Sequence, residues 1–204
     1  MFASRHPLAD YSEETRIDYL SVIAALASVD QSISEAELTQ LRLFCEAIGV
    51  NEMGIGSVLA VAADPMSLDL SAVTAHFAAS DLKFTLLTDL LLMTHADDDV
   101  ASEEKDLLNQ AIARLGISAA QMQAIAGYVT NLRAAQAYKR GHDAEWRRIG
   151  GEIGDALKRQ GIPLKCIVAT DILNNANNRS EGAQAFQIGV LSAASACKNG
   201  QSKL

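Results

Sequence analysis

The sequence predicts an all-α protein: a helical bundle built from a duplicated three-helix unit, with an additional C-terminal helical segment. Alanine and leucine are abundant, while aromatic residues make up only 5% of the 204 residues and prolines number three. Apolar residues recur at helical spacing in several segments. Residues 19–50 and 86–117 also repeat one pattern of acidic, apolar and glycine positions at a constant offset of 67 residues.

The first copy of this pattern predicts three helices. A first helix starts after Ser12, where two glutamates follow a residue type that caps helices. Ser34 and Glu37 have the spacing of a capping box, which predicts a second helix that ends at Gly49. We predict a third, shorter helix over residues 51–63. It ends there because the proline that follows disfavours helical geometry in the residue before it.

The second copy follows a connecting helix that we predict over residues 70–79. Its first helix is the apolar segment 82–95. Its second runs from Ser102 to Gly116, and its third starts at Ser118. The two copies together predict a duplicated helical domain over residues 1–138.

Residues 139–204 do not repeat the pattern and predict a C-terminal helical extension that packs on or beside the repeated domain. We predict an amphipathic helix that contains Trp146 and ends before Pro163. A last helix is predicted over residues 181–197. Ala185, Gly189 and Ala193 lie four residues apart in that last helix. Small residues at this spacing predict the close approach of a partner helix, and we interpret the glycines at 150, 151 and 154 in the same way.

Several classes of protein are disfavoured by composition. No segment of 18 or more apolar residues is present, so we predict no membrane-spanning helix, and the N-terminus lacks the pattern of a secretory signal. Cys45, Cys166 and Cys197 are far apart and odd in number, which favours free thiols over a disulfide or zinc framework. The sequence therefore predicts a cytoplasmic protein.

The charges divide the chain more sharply than the net value of -8 suggests. Residues 1–117 carry 19 Asp and Glu against 6 Lys and Arg, a net charge of -13, whereas residues 118–204 carry 6 against 11, a net charge of +5. An acidic region of this size repels nucleic acid and attracts cations or basic protein partners. The basic region either binds an anionic surface, such as a membrane, or folds back on the acidic one.

Acidic residues repeat at the helix corners of the two copies. Asp30 aligns with Asp97 and Glu37 with Glu104, and Asp99 lies beside the second pair. Carboxylate oxygens are the ligands that Ca²⁺ and Mg²⁺ prefer, so these five residues are candidate metal ligands. An EF-hand does not fit, because its expected glycine and final glutamate fall on Ser102 and Leu108. The alternative is that these acids only solvate a turn and complement the dipole of the next helix.

These corners resemble the repeated signature of the TerB family, which is linked to tellurite resistance. The residues that carry the resemblance are Asp30, Ile33, Ser34 and Glu37 in the first copy and Asp97, Val100 and Glu104 in the second. It covers roughly residues 12–135, and Gln31 and Asp98 stand where that family usually has glycine. The resemblance implies an all-helical bacterial domain with an acidic, calcium-binding surface, which acts in stress-response complexes near the inner face of the membrane. It also implies the fold of the N-terminal domain of the co-chaperone DjlA.

We therefore expect a non-enzymatic stress-response or scaffold protein of the TerB-like type, with protein partners and a divalent cation at its acidic corners. The alternative is a peripheral membrane or partner-docking module that acts through its basic C-terminal helices. An enzyme is disfavoured because the sequence has no nucleophile elbow, no phosphate-binding glycine loop and no paired histidines.

Overall fold

The computed structural model describes residues 6–28, 35–94, 102–138, 141–168 and 180–196. Within these ranges the chain forms ten α-helices and two short 3-10 helices, and it contains no β-strand. The predicted all-α class is therefore confirmed.

The contacts within the chain divide it into two compact units, Met1–Ile117 (unit 1) and Ser118–Leu204 (unit 2). This boundary differs from the one that the repeat predicts at residue 138, because the helix that begins after Ser118 packs with the C-terminal helices. It coincides with the boundary between the acidic and basic regions of the sequence. Each unit therefore has a charge of its own, negative in unit 1 and positive in unit 2.

In its described residues, unit 1 contains six α-helices, and a 3-10 helix at Pro7–Asp10 precedes them. Their bounds are α1 Glu13–Ala27, α2 Glu35–Ile48, α3 Glu52–Ala63, α4 Leu70–Ala78, α5 Leu82–Thr94 and α6 Ser102–Arg114.

Helix α1 lies at the centre of unit 1. Its last two turns are buried without interruption from Tyr19 to Leu26, and the helix contacts α3, α5 and α4. A helix that is buried on every side needs apolar or small residues on every side, which is why this segment reads as Leu-Ser-Val-Ile-Ala-Ala-Leu rather than as one apolar stripe.

The ends of α2 and α6 have the same backbone geometry. Gly49 and Gly116, which are 67 residues apart, both have positive φ values, 83° and 64°. The amide after each glycine donates to the carbonyl five residues back, from Val50 to Cys45 at 3.0 Å and from Ile117 to Ile112 at 3.3 Å. This arrangement is the Schellman motif, so the predicted helix stops at both glycines are confirmed.

The next residues cap the following helices at equivalent positions as well. The Asn51 side chain accepts a hydrogen bond from the Gly54 amide at 2.9 Å, and the Ser118 hydroxyl accepts one from the Gln121 amide at 3.2 Å. The helices that these residues start pack differently. Helix α3 packs against α1 and α2 inside unit 1, whereas α7 (Ala119–Gln136) packs against helices of unit 2.

Unit 2 is held together by three long helices. They are α7, α8 (Asp143–Arg159) and α10 (Glu181–Ala196), and the short α9 (Leu164–Val168) lies between the last two in the chain. The Gln121 side chain of α7 also donates to the Gln160 carbonyl at the end of α8, at 3.0 Å.

Helices α8 and α10 lie so close that their backbones touch. A Cβ atom on Gly150 would overlap the Phe186 carbonyl oxygen, and one on Gly189 would overlap the Arg147 carbonyl oxygen. One on Gly154 would lie 2.9 Å from the Ala193 Cβ. The prediction that small residues allow a partner helix to approach closely is therefore confirmed, and the partner is α8 of the same unit.

Candidate functional site

The structure describes only part of the predicted metal site. Asp30, Asp97 and Asp99 lie outside the described residues. Glu37 lies in the first turn of α2 and Glu104 in the first turn of α6, and only their backbones are described. Within the described ranges, no group of three or more His, Cys, Asp or Glu side chains is arranged to hold a metal ion. The acidic corners thus stay a prediction from the sequence.

An acidic groove of about 350 Å³ lies elsewhere in unit 1, between α1 and α3. We call it the α1–α3 groove. Its lining residues come from one face of each helix: Glu13, Glu14, Ile17 and Asp18 of α1, and Asn51, Met53, Gly54 and Ser57 at the start of α3. Three carboxylates thus surround an apolar floor.

The glycine in this groove allows the two helices to meet. A Cβ atom on Gly54 would lie 2.8 Å from Ile17 Cδ1 and 2.6 Å from Val50 Cγ1, so both side chains would have to shift to make room for it. Met53, by contrast, points outwards and is 85% exposed. The floor of the groove is therefore formed by Ile17 and the bare backbone at Gly54, with Met53 at its edge.

The arginines of this region are held away from the carboxylates of the groove. Arg42 forms ion pairs with Glu46 at 3.2 Å and with Glu52 at 2.7 Å. Arg16 donates to the Ile48 and Gly49 carbonyls at the end of α2, at 3.2 and 2.8 Å, where a cation complements the helix dipole. Among the residues that the structure describes, no lysine or arginine forms an ion pair with Glu13, Glu14 or Asp18.

Two of these three carboxylates have partners of another kind. Glu13 accepts a hydrogen bond from the Asn51 amide at 3.0 Å, which ties the start of α1 to the start of α3. Asp18 lies 3.7 Å from the ring of His76. Partial burial raises the pKa of Asp18 and the neighbouring Glu14 raises it further, while His76 acts in the opposite direction. A cation placed in the groove would relieve the repulsion between Glu14 and Asp18.

A second polar cluster lies inside unit 1 and is fully buried. The His6 Nε2 atom lies 3.1 Å from Asp89 Oδ2, and the Tyr19 hydroxyl donates to the same oxygen at 2.6 Å. The rings of His6 and Phe44 meet edge to face at 5.7 Å, and those of Tyr19 and Phe77 at 5.8 Å. This cluster, which we call the His6–Asp89–Tyr19 node, joins the N-terminal segment to α1, α2, α4 and α5.

Hydrogen bonding assigns the protons of this node. The Leu8 amide donates to His6 Nδ1 at 3.2 Å, so Nδ1 carries a lone pair and Nε2 carries the proton that it donates to Asp89. Asp89 Oδ1 has no hydrogen-bond partner among the described residues. Burial raises the pKa of Asp89, and its hydrogen bonds from His6 and Tyr19 oppose that effect. Because all three side chains are inaccessible, the node is a structural element rather than a binding site.

Sequence reasoning missed both the groove and the node. His6 and Asp89 are 83 residues apart, and no local spacing connects them. One signal was present, because an aspartate within the apolar helix 82–94 needs a polar partner if it is buried. The groove left no such signal, since its acids follow the ordinary preference for carboxylates in the first turn of a helix.

Buried thiols do not provide a nucleophile in the described part of the chain. Cys45 and Cys166 are both buried. Burial raises the pKa of the Cys45 thiol to about 11, so it stays protonated at neutral pH.

Unit 2 does not present a uniformly basic helix. Helix α8 carries four acidic and four basic residues, and Arg148 pairs with Glu152 at 2.5 Å. Five of the eleven basic residues of unit 2 lie outside the described ranges: Lys139, Arg140, Arg179, Lys198 and Lys203. Separately, none of the helices that the structure describes combines the length and apolar character that a bilayer crossing requires.

No protein-family model, no curated protein and no solved structure matches this chain.

Proposed function

We propose that this protein is a non-enzymatic scaffold module whose acidic unit 1 binds cationic segments of partner proteins. The observation that carries the proposal is the match between the charge boundary and the structural boundary at residues 117 and 118. Of the acidic side chains described in unit 1, Asp89 alone is buried. A folded body with an acidic surface of this kind attracts basic partners and repels nucleic acid.

The proposal includes a TerB-like origin for the repeated helices and a role in stress response. Its support is the agreement of helix stops and caps at positions 67 residues apart, such as Gly49 with Gly116 and Asn51 with Ser118. Under this proposal the third helices of the two copies belong to different units, since α3 packs in unit 1 and α7 packs in unit 2.

Binding of a labelled oligolysine peptide to the full chain tests the scaffold proposal. We expect binding that weakens as salt concentration rises, since exposed charges are screened over about 10 Å at 0.1 M ionic strength. An uncharged glycine–serine peptide of the same length is the control and should not bind. Equal binding of the two peptides, or no binding of either, would contradict the proposal.

A divalent cation at the acidic corners is a second proposal, supported by the repeated pairs Asp30 with Asp97 and Glu37 with Glu104. Ca²⁺ or Mg²⁺ that binds the folded state raises the thermal midpoint. We expect this rise in the wild type and its loss when Asp30→Ala and Asp97→Ala are combined. The matched control combines Asp64→Ala with Asp81→Ala, two exposed acids of unit 1. An unchanged midpoint in the wild type would rule the metal out.

The peripheral membrane alternative rests on the net charge of +5 in unit 2. Cosedimentation of the full chain with anionic vesicles, compared with neutral vesicles, tests it. If unit 2 acts at membranes, only the anionic vesicles should carry the protein down, and equal recovery with both would exclude this function.

A further inference from the structure

We propose that the α1–α3 groove binds a lysine or arginine side chain carried on an extended or helical segment of a partner protein. The cationic end would lie between Glu14 and Asp18, and the aliphatic stem would lie over Ile17 and Met53. This inference rests on the proposed scaffold function and assigns that function a specific site.

The shape of the groove fits a long side chain with a charged end. Its floor at Ile17 and Gly54 is apolar, while the carboxylates stand along the α1 side. Lysine and arginine combine these two properties, because they bury their methylene stems against apolar surface and keep the charged end among polar groups. A small inorganic cation would leave the apolar floor and Met53 uncovered.

Without a partner, the carboxylates of the groove also lack, within the described part of the chain, a lysine or arginine that would balance their negative charge. Glu14 lies close enough to Asp18 to raise its pKa, against the opposite effect of His76, whose Nδ1 lies 3.7 Å from Asp18. The repulsion between two carboxylates falls when a cation lies between them. The nearby Arg16 and Arg42 do not supply that cation, since Arg16 binds the end of α2 and Arg42 binds Glu46 and Glu52. Charge complementarity therefore selects a basic partner.

The exposed methionine supports a protein partner in particular. Met53 is 85% exposed at the edge of the groove, and a flexible thioether side chain adapts to apolar surfaces of different shape. An anionic lipid surface or a nucleic acid would meet three carboxylates of like charge at this place and would be repelled.

The charge test compares two double variants of the full chain that lose the same two negative charges. Glu14→Gln with Asp18→Asn alters the groove and leaves the Glu13 bond to Asn51 intact, whereas Asp64→Asn with Asp81→Asn alters exposed acids outside it. The probe is a labelled peptide of alternating leucine and lysine, measured by fluorescence anisotropy at fixed ionic strength. We expect the groove variant to bind about fivefold more weakly, in line with two partly exposed ion pairs, and the control to change by less than about twofold.

The shape test uses two glycines of α3. Gly54→Ala places a methyl group against Val50 and Ile17 and so displaces Ile17 from its place in the floor of the groove, while Gly56→Ala meets no atom within 4 Å. We expect weaker peptide binding in the Gly54 variant only, with circular dichroism confirming that both variants are folded.

The outcomes separate the groove from the broader proposal. Selective loss of binding in the Glu14 and Asp18 variant and in Gly54→Ala supports the site. Equal loss in both charge variants would overturn the groove and leave the scaffold function standing as diffuse electrostatic attraction. Absence of binding by the wild type would overturn both.

Discussion

The two units of this protein are stabilised in opposite ways. Unit 1 surrounds a central helix with large side chains and joins five elements at a buried polar node of His6, Asp89 and Tyr19. Unit 2 brings two helices so close that their backbones touch at Gly150 and Gly189. The core of unit 1 therefore depends on the hydrogen bonds that the side chains of the node form. The interface of α8 and α10 depends instead on glycines, because their lack of a side chain lets the two backbones touch.

This difference predicts opposite sensitivities to mutation. Unit 1 should lose stability when an atom of the node is removed, because the remaining partners stay buried without a hydrogen bond. Unit 2 should lose stability when a single methyl group is added at the helix contact, because backbone atoms of the facing helix cannot move aside as a side chain can.

The largest effect is expected for Gly150→Ala in α8. Its new Cβ would overlap the Phe186 carbonyl oxygen, so α8 and α10 must separate, at a cost of about 3 kcal/mol in the free energy of unfolding. The single tryptophan, Trp146, lies in α8 of unit 2, so its fluorescence during denaturation follows this unit. Gly151→Ala is the control, because its Cβ would have 4.0 Å to the nearest backbone atom. If both variants unfold at the same denaturant concentration, the close contact is wrong.

The next largest effect is expected for Tyr19→Phe in α1. The change removes the hydroxyl that donates to Asp89 Oδ2 at 2.6 Å and leaves a buried carboxylate with one donor fewer. Hydrogen bonds to charged groups predict a loss of about 2 kcal/mol. Far-UV circular dichroism during denaturation measures it, while Trp146 fluorescence should change little. Wild-type stability in this variant would mean that the hydrogen bond from Tyr19 to Asp89 contributes nothing.

The pH dependence of stability should reveal Asp89 itself. Burial raises its pKa above the ordinary value of 3.8, so the folded state binds the proton more tightly than the unfolded chain does. The stabilisation from this group is therefore complete below pH 3.8 and is lost as the pH rises through the folded-state pKa. Asn does not titrate, so the free energy of unfolding of the wild type relative to Asp89→Asn should increase as the pH falls from neutral. A difference that is constant with pH would show that this pKa is not raised.

The smallest effect is expected for Gly56→Ala in α3, which should increase the free energy of unfolding. A methyl group there meets no atom within 4 Å, so the variant gains helix propensity without a clash. We expect about 0.7 kcal/mol of added stability, measured by thermal denaturation. Together with Gly150→Ala, it would show that one substitution has opposite effects in the two units. A destabilised variant would contradict the open surroundings of Gly56.

Local structure was predictable from the sequence wherever neighbouring residues determine it. The helix stops at Gly49 and Gly116 follow from the freedom of glycine to adopt positive φ, and the Ser118 cap follows from one hydroxyl and the nearby amides. The small residues of α8 and α10 were recognisable in the same way, because their spacing places them on one face of a helix.

The arrangement of these helices was less predictable. The repeat placed α7 with the first two helices of its copy, but the structure groups it with α8 and α10. The pairing of helix faces depends on the shapes of all the helices together. The repeat pattern says nothing about α8 and α10, because they lie beyond it in the sequence.

The sequence by itself determined the helical class, the helix stops at Gly49 and Gly116, the small-residue faces that allow close helix packing and the division of charge. Each depends on residue type and spacing along the chain. Tertiary structure alone decided that His6 meets Asp89, that Arg16 and Arg42 are held by other groups, and that Glu14 and Asp18 line an apolar groove in which neither arginine pairs with them. The physical reason is that electrostatic and hydrogen-bonding partners are set by distance in space, and residues far apart in the sequence approach each other only when the helices pack.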